Sequence, residues 1–388
     1  LLLSIPYIII NDESKNCLLW FLRQKIIHYI IYAPIILVFI SILFSIIHLT
    51  FDFTILKTLI NQSLTSFVIV VVLSIIIKKE TNLKNIHLLI WGVFFLQSVI
   101  IFTAFSNEDF RVFIRIFQPE SFRHMDDYRG GIRTLTVSST GFFGLGCTYG
   151  LLYILYLKFL IDNNLKSVFY IILFLIFIIS TFFIARTGFI GLIFASILFV
   201  LDKNKKFIDL LISSVKIIIT ISVFLGIVLL FVDDIILDTF NQYVIPYAFE
   251  MFNNESGSVE TTSTDTLIGM FNNKISFFDF IVGTGHYTNI DGSYFRDTDV
   301  GYLRVLLFGG MIFLILFVLH HTITTFLLIK YSNNSKISNI KFGILLMIFS
   351  LALNFKGEVI GFLIPFLTLM YFYFLPIYYY CNYFKINN

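Results

Sequence analysis

Arg186 is the single charge in the apolar stretch ISTFFIARTGFIGLI, residues 179–193. A cation there is favoured by about 0.3–1 kcal/mol if it closes the carbonyl end of a first helix and snorkels toward lipid headgroups. The helix that starts at Thr187 would instead point its N–H end at the same place, which repels a cation and attracts an anion. A guanidinium and a helix N-terminus converging on one point make a cradle for a pyrophosphate. Both readings stand at this level.

A second group with chemical potential lies in GTGHYTNIDGSYFRDTDVGYLRVLLFGG, residues 283–310. Asp297, Thr298 and Asp299 stand where a long apolar helix begins, so one of them is expected as its N-cap. Two acids beside Arg296 exceed what one cap requires. Gly301, Gly309 and Gly310 are then expected inside the helix, where small residues let neighbouring helices approach. A lone GTG is no phosphate-loop signature. His286 is a candidate base, weighed against an ordinary surface histidine, and His320 and His321 are expected to line helix packing. Late in the chain, ALNFKGEVIGF places Lys356, Gly357 and Glu358 at a turn between two apolar runs. Ionisable groups at membrane depth usually pair with each other or with a substrate, so the alternatives are a Lys356–Glu358 turn pair and a substrate site.

The elements that must position these residues are membrane helices. The chain has 388 residues, 58% hydrophobic and 13% charged, with mean hydropathy +0.90, which is far too apolar for an ordinary soluble domain. Each bilayer crossing needs roughly 20 apolar residues. Apolar runs near 28–50, 63–77, 86–105, 135–157, 167–184, 188–201, 208–231, 300–329, 342–355 and 358–381 read as ten spans. The expected fold is all-α, a polytopic membrane bundle of about 10–12 helices forming one domain over residues 1–388. LLLSIPYIII at the start reads as the end of a helix that begins before residue 1, and no cleavable signal peptide is recognisable. Cys17, Cys147 and Cys381 match no metal or disulfide spacing.

Charge then orients the bundle. KKETNLK, KFLIDNNLK, DKNKK, KYSNNSKISNIK and the FKINN tail are lysine-rich loops, expected in the cytoplasm by the positive-inside rule. The opposite side takes 51–62, 106–134, the turn at Arg186, the long segment 233–299 and Lys356. Eight of nine arginines fall there: Arg111, Arg115, Arg123, Arg129, Arg133, Arg186, Arg296 and Arg304. Arginine binds phosphate through a planar fork, so this enrichment points to an anionic, phosphate-bearing ligand outside. Arg111 and Arg115, spaced i, i+4 in DFRVFIRIF, suit an interfacial amphipathic helix meeting lipid headgroups. Segments 106–134 and 233–299 are expected to cap the active site, partly as helices packed on the membrane surface, with 252–266 polar and low in complexity.

These features occur in a recognisable order. An ARTG hairpin (Arg186, Thr187, Gly188), a long outer loop, a GTG element, an acid before GYL and GG (Asp299, Gly301, Tyr302, Leu303, Gly309, Gly310) and a late FKG turn (Phe355, Lys356, Gly357) resemble the Wzy-type O-antigen and capsule repeat-unit polymerases of the O-antigen polymerase and ligase superfamily. The resemblance spans most of the chain, through short motifs whose order carries it. It implies a GT-C-like membrane glycosyltransferase in the bacterial inner membrane with its active site facing the periplasm. The growing glycan would pass from undecaprenyl pyrophosphate to a newly flipped lipid-linked repeat unit, without cofactor or metal. Partners would be that lipid-linked oligosaccharide, membrane lipids, and chain-length regulator and flippase proteins, with no nucleic acid. Asp299 and Val300 stand where the ligases carry a histidine-asparagine pair, which favours polymerase over ligase. The family's arginine-x10-glycine spacing occurs as Arg133 to Gly144.

For such a transfer the expected catalytic residues are Arg186, stabilising the pyrophosphate, and Asp299, the base. Arg296, Arg133, Lys356, Glu358 and His286 are expected to bind substrate. The competing class is a lipid-linked oligosaccharide flippase or other transporter, which would carry its charges along the bundle interior and often show internal repeats. No repeat is visible.

Overall fold

The computed structural model describes residues 11–79, 82–118, 135–136, 142–165, 167–201, 238, 262–271, 275–330 and 339–387. Regular structure among them is helical, apart from an isolated antiparallel bridge between Thr288 and Tyr294. The expected span 208–231, most of the outer segments and Arg133 lie outside the described residues. Helices Lys25–Ile47, Thr54–Lys79, Leu83–Ser106, Phe142–Asp162, Gly301–Lys330 and Ile364–Asn387 contain the six stretches long and apolar enough to cross a membrane. Val168–Ile184, Thr187–Val200 and Ile340–Asn354 are apolar but shorter. The chain is therefore a multi-pass helical membrane protein.

In chain order the helices are α1 (Asp12–Leu22), α2 (Lys25–Ile47), α3 (Thr54–Lys79), α4 (Leu83–Ser106), α5 (Glu108–Arg115), α6 (Phe142–Asp162), α7 (Val168–Ile184), α8 (Thr187–Val200), α9 (Thr262–Phe271), α10 (Phe277–Val282), α11 (Gly301–Lys330), α12 (Asn339–Asn354) and α13 (Ile364–Asn387). They fall into two compact units, 1–88 with 263–388, and 89–262. In the first, α2 and α3 form an antiparallel pair against which α11 packs, and Leu37, Ile55, Leu59, Phe308, Phe313 and Phe317 form its core. Gly301, at the start of α11, and Asn354, at the end of α12, meet at one end of this unit.

The second unit is built on the α6–α8 contact. A Cβ placed on Gly191 of α8 would lie 2.2 Å from the Gly150 backbone of α6. The two helices thus touch backbone to backbone, the arrangement small residues permit in membrane helices. Gly146 and Gly188 extend the seam, the first against Ala185 and Thr187 and the second against Thr181. α5 is amphipathic as expected, capped by Asn107 and exposing Val112 and Phe113, with Ile116 and Phe117 exposed just beyond its end. Arg111 does more than face lipid: its Nε and Nη2 donate to the Ala104 and Phe105 carbonyls at the end of α4, at 3.1 and 3.2 Å. Those carbonyls have no intrahelical donor of their own.

Two expectations are corrected here. The last span does not begin at 358, because α13 starts at Ile364 and residues 355–363 form an irregular turn with Gly361 at φ 70°. Nor do Gly309 and Gly310 sit in a continuous helix. Gly310 has φ 64° and ψ −168°, and α11 is broken there.

Candidate functional site

The break in α11 frees carbonyls that need donors. Thr284 donates its backbone N–H to the Leu307 carbonyl at 2.6 Å and its hydroxyl to the same oxygen at 2.9 Å, while Gly285 donates to the Phe308 carbonyl at 2.9 Å. This is the role of the GTG element. Gly283, at φ 83°, lies so close that a Cβ would be 2.5 Å from the Phe308 oxygen and the Gly310 nitrogen. A residue with a side chain fits neither that space nor that backbone angle.

From this anchor the chain runs into His286–Thr288, which is stitched to the α2–α3 loop. Asp52 Oδ2 accepts from the Tyr287 and Thr288 backbone N–H groups at 2.6 and 2.7 Å. Thr50 donates to the Gly285 carbonyl at 2.7 Å. The Tyr287 ring is thereby fixed 3% exposed beneath Arg304 of α11.

Arg304 is the centre of the site. Its guanidinium carbon lies 4.1 Å from the Tyr287 ring centroid and 4.1 Å from that of Tyr294. Its Nη1 donates to Glu358 Oε2 at 2.7 Å and its Nη2 to the Tyr287 carbonyl at 3.3 Å. Cation–π contact with two rings is worth about 1–2 kcal/mol in a desolvated setting. Arg304, grouped from sequence with the outer-surface arginines, is in fact 5% exposed. Burial pushes the Glu358 carboxyl well above the ordinary range, so its ionised form rests on the guanidinium beside it.

The turn that carries Glu358 is held by Asn354, whose Oδ1 accepts from the Val359 and Ile360 N–H groups at 3.0 and 3.2 Å. Tyr302 donates its hydroxyl to the Leu351 carbonyl at 2.7 Å and packs edge-on to Phe355, ring centroids 4.8 Å apart. The acid-GYL motif and the FKG turn are therefore two halves of one structure.

Thr298, completely buried, accepts from the Val300 N–H at 3.4 Å in a tight turn just before α11, whose N-cap position falls to Val300 instead of the expected Asp297, Thr298 or Asp299. That leaves Asp299 outward, with its carboxyl raised above the ordinary value by partial burial while Arg304 and Lys356 pull the other way. Tyr294, five residues earlier and 48% exposed, presents a ring at the surface. Asp299, Lys356 and Glu358 are thus brought together around Arg304.

The other expected site residues make different contacts. Arg296, in a left-handed conformation at φ 56°, lies 3.6 Å from Asp279 of α10, and His286 stacks on Phe295 with centroids 5.1 Å apart. Arg186 belongs to the second unit, half-buried at the start of α8, with Ala185 extended before it and Thr187 and Gly188 buried in the α6–α8 seam. The ARTG turn is thus part of that packed seam. Among the described residues no group of three or more His, Cys, Asp or Glu side chains is placed to hold a metal.

Sequence reasoning passed over Asp52, Tyr287 and Tyr294 and gave Arg304 no individual role. Arg304 carried the same signal as Arg186, a lone charge inside an apolar helix. The Asp52 bonds span 235 and 236 residues of chain and leave no local trace. Comparison with protein-family models, with curated proteins and with solved structures finds no match.

Proposed function

We propose that this chain is a membrane glycosyltransferase that polymerises lipid-linked oligosaccharide repeat units at the outer face of a bacterial cytoplasmic membrane. The observation that carries the reading is the assembly of the acid-GYL motif and the FKG turn around one buried, ring-stacked arginine, with Asp299 directed outward beside it. Two motifs 55 residues apart in the chain, Asp299 and Asn354 marking their edges, meet as one site.

In this reading the acceptor sugar hydroxyl attacks the anomeric carbon of the donor glycan, and its proton passes to the Asp299 carboxylate. The bond from that carbon to the pyrophosphate oxygen breaks, and the electron pair leaves with undecaprenyl pyrophosphate. Lys356 supplies positive charge near the carboxylate, and preorganised charge of this kind contributes several kcal/mol in a low-dielectric site. Arg304 and Glu358 are positioning residues, locking the turn that presents Lys356. The exposed Tyr294 ring offers a face on which a sugar can stack.

One observation favours the transporter reading: His320 and His321 are buried in the interior of the first unit, away from the Asp299 end of α11. The glycan profile of a strain lacking the gene separates the readings. Lipid-linked single units on the outer face in place of a ladder support the polymerase. Full-length chains stranded on the carrier would mean a ligase, and single units trapped on the cytoplasmic face would mean a flippase.

A further inference from the structure

The turn between α2 and α3 divides its side chains into two alternating sets. His48, Thr50 and Asp52 face the 282–288 segment: His48 Nε2 lies 3.3 Å from the Val282 carbonyl, Thr50 donates to the Gly285 carbonyl, and Asp52 accepts from Tyr287 and Thr288. Leu49, Phe51 and Phe53 stand between them in sequence and are 75%, 60% and 43% exposed. The two phenylalanine rings meet edge-on, centroids 6.4 Å apart.

The backbone is strained to hold this arrangement. α2 ends in the pattern that commonly closes on glycine: Thr50 donates its N–H to the Ser45 carbonyl at 3.1 Å, and Leu49 donates to the Ile46 carbonyl at 3.0 Å. Leu49 fills the left-handed position at φ 55°, and Phe51 adopts it again at φ 52°. Bulky residues disfavour that conformation, whereas glycine adopts it freely. Contact of the apolar side chains with water offsets none of that strain, and contact with lipid does.

Lipid is also what the turn continues. Tyr32, Ile36, Phe39, Leu43 and Ile47 form an exposed stripe along α2 at three- and four-residue spacing, and Leu49 extends it. With 23 residues, α2 is about 35 Å long against a hydrocarbon core of about 30 Å, so the turn emerges among the headgroups. We infer that Leu49, Phe51 and Phe53 form a lipid anchor that enters the bilayer interface at the end of α2. Through Thr50 and Asp52 the anchor sets the depth of the 283–288 segment, and of the Tyr287 ring beneath Arg304, relative to the headgroups. This inference does not depend on the reaction proposed above.

The test places spin labels by Leu49→Cys and Phe51→Cys, each combined with Cys381→Ser, in the full chain reconstituted in phosphatidylethanolamine–phosphatidylglycerol vesicles. Cys17 and Cys147 are buried. Power-saturation electron paramagnetic resonance then compares collisions with oxygen, which concentrates in lipid, and with a water-soluble nickel chelate. Oxygen is expected to dominate at both positions, as at the control Phe39→Cys on the stripe of α2, and the Phe51→Cys label decides if Leu49→Cys does not fold. A label reached mainly by the nickel chelate would put the turn in water. One reached by neither reagent would put it under a second copy or another segment of this chain, and either result would overturn the anchor.

Discussion

Gly301 and Asn354 are in contact so close that a Cβ on the glycine would lie 2.6 Å from the asparagine Oδ1 and 2.7 Å from the Gly357 carbonyl. That oxygen of Asn354 is already accepting from Val359 and Ile360, so it has nowhere to retreat. The glycine of the acid-GYL motif is there to let the FKG turn approach. Gly301→Ala is expected to destabilise the protein by about 1–3 kcal/mol through overpacking, and Asn354→Ala by a similar amount through two orphaned N–H groups. Thermal unfolding in detergent measures both.

Glycines elsewhere sort by the same criterion. Gly191→Leu must push α8 off the Gly150 backbone, and a large loss of folded protein on size-exclusion is expected. Gly92 of α4 has nothing within 4 Å of its ideal Cβ, so Gly92→Ala is expected to stabilise by up to about 1 kcal/mol from helix propensity.

Arg304→Lys keeps the charge but loses the planar group that stacks between Tyr287 and Tyr294 while reaching Glu358. Losing that geometry beside the buried Glu358 carboxylate is expected to cost about 1–3 kcal/mol. Arg304→Lys/Glu358→Gln, which removes the buried negative charge, is expected to recover part of that loss. Equal unfolding temperatures for Arg304→Lys and the parent would contradict the packing described.

Much of this could be read from the chain, and what could not follows a physical pattern. Helices such as α2 and α11 are long apolar runs and declare themselves. The start of α13 at Ile364 was missed because residues 358–363 are as apolar as a helix, although Glu358 is tied to Arg304 instead. The break at Gly309–Gly310 is paired with Thr284 and Gly285, and such non-local pairing has no signature in either segment alone. Asp52, hydrogen-bonded to Tyr287 and Thr288, was hidden for the same reason.

The carboxyl of Asp299 is raised above its ordinary value of 3.8, which sets the sign of two pH effects. A base must be ionised, so activity is expected to fall with acid along a limb displaced above pH 3.8. A raised carboxyl favours the protonated native state, so its stabilising contribution is present below pH 3.8 and lost as pH rises through the folded-state value. Asp299→Asn removes both dependences. An acid limb unchanged in that variant would assign the proton transfer elsewhere.

Arg186 is tested on its own. If its fork binds pyrophosphate, Arg186→Lys lowers activity markedly at unchanged yield of folded protein. If it only closes the α7–α8 turn beside the α6 seam, Arg186→Lys is close to silent, since a lysine at a helix terminus carries the same charge.

The most direct measurement reconstitutes the purified protein with its lipid-linked repeat unit and resolves the products on a gel beside Asp299→Asn. A ladder with release of undecaprenyl pyrophosphate is expected from the parent, and a rate about 10²- to 10⁴-fold lower from the variant. A ladder that forms equally well with Asp299→Asn, or none from a folded parent supplied with its own strain's repeat unit, would contradict the assignment.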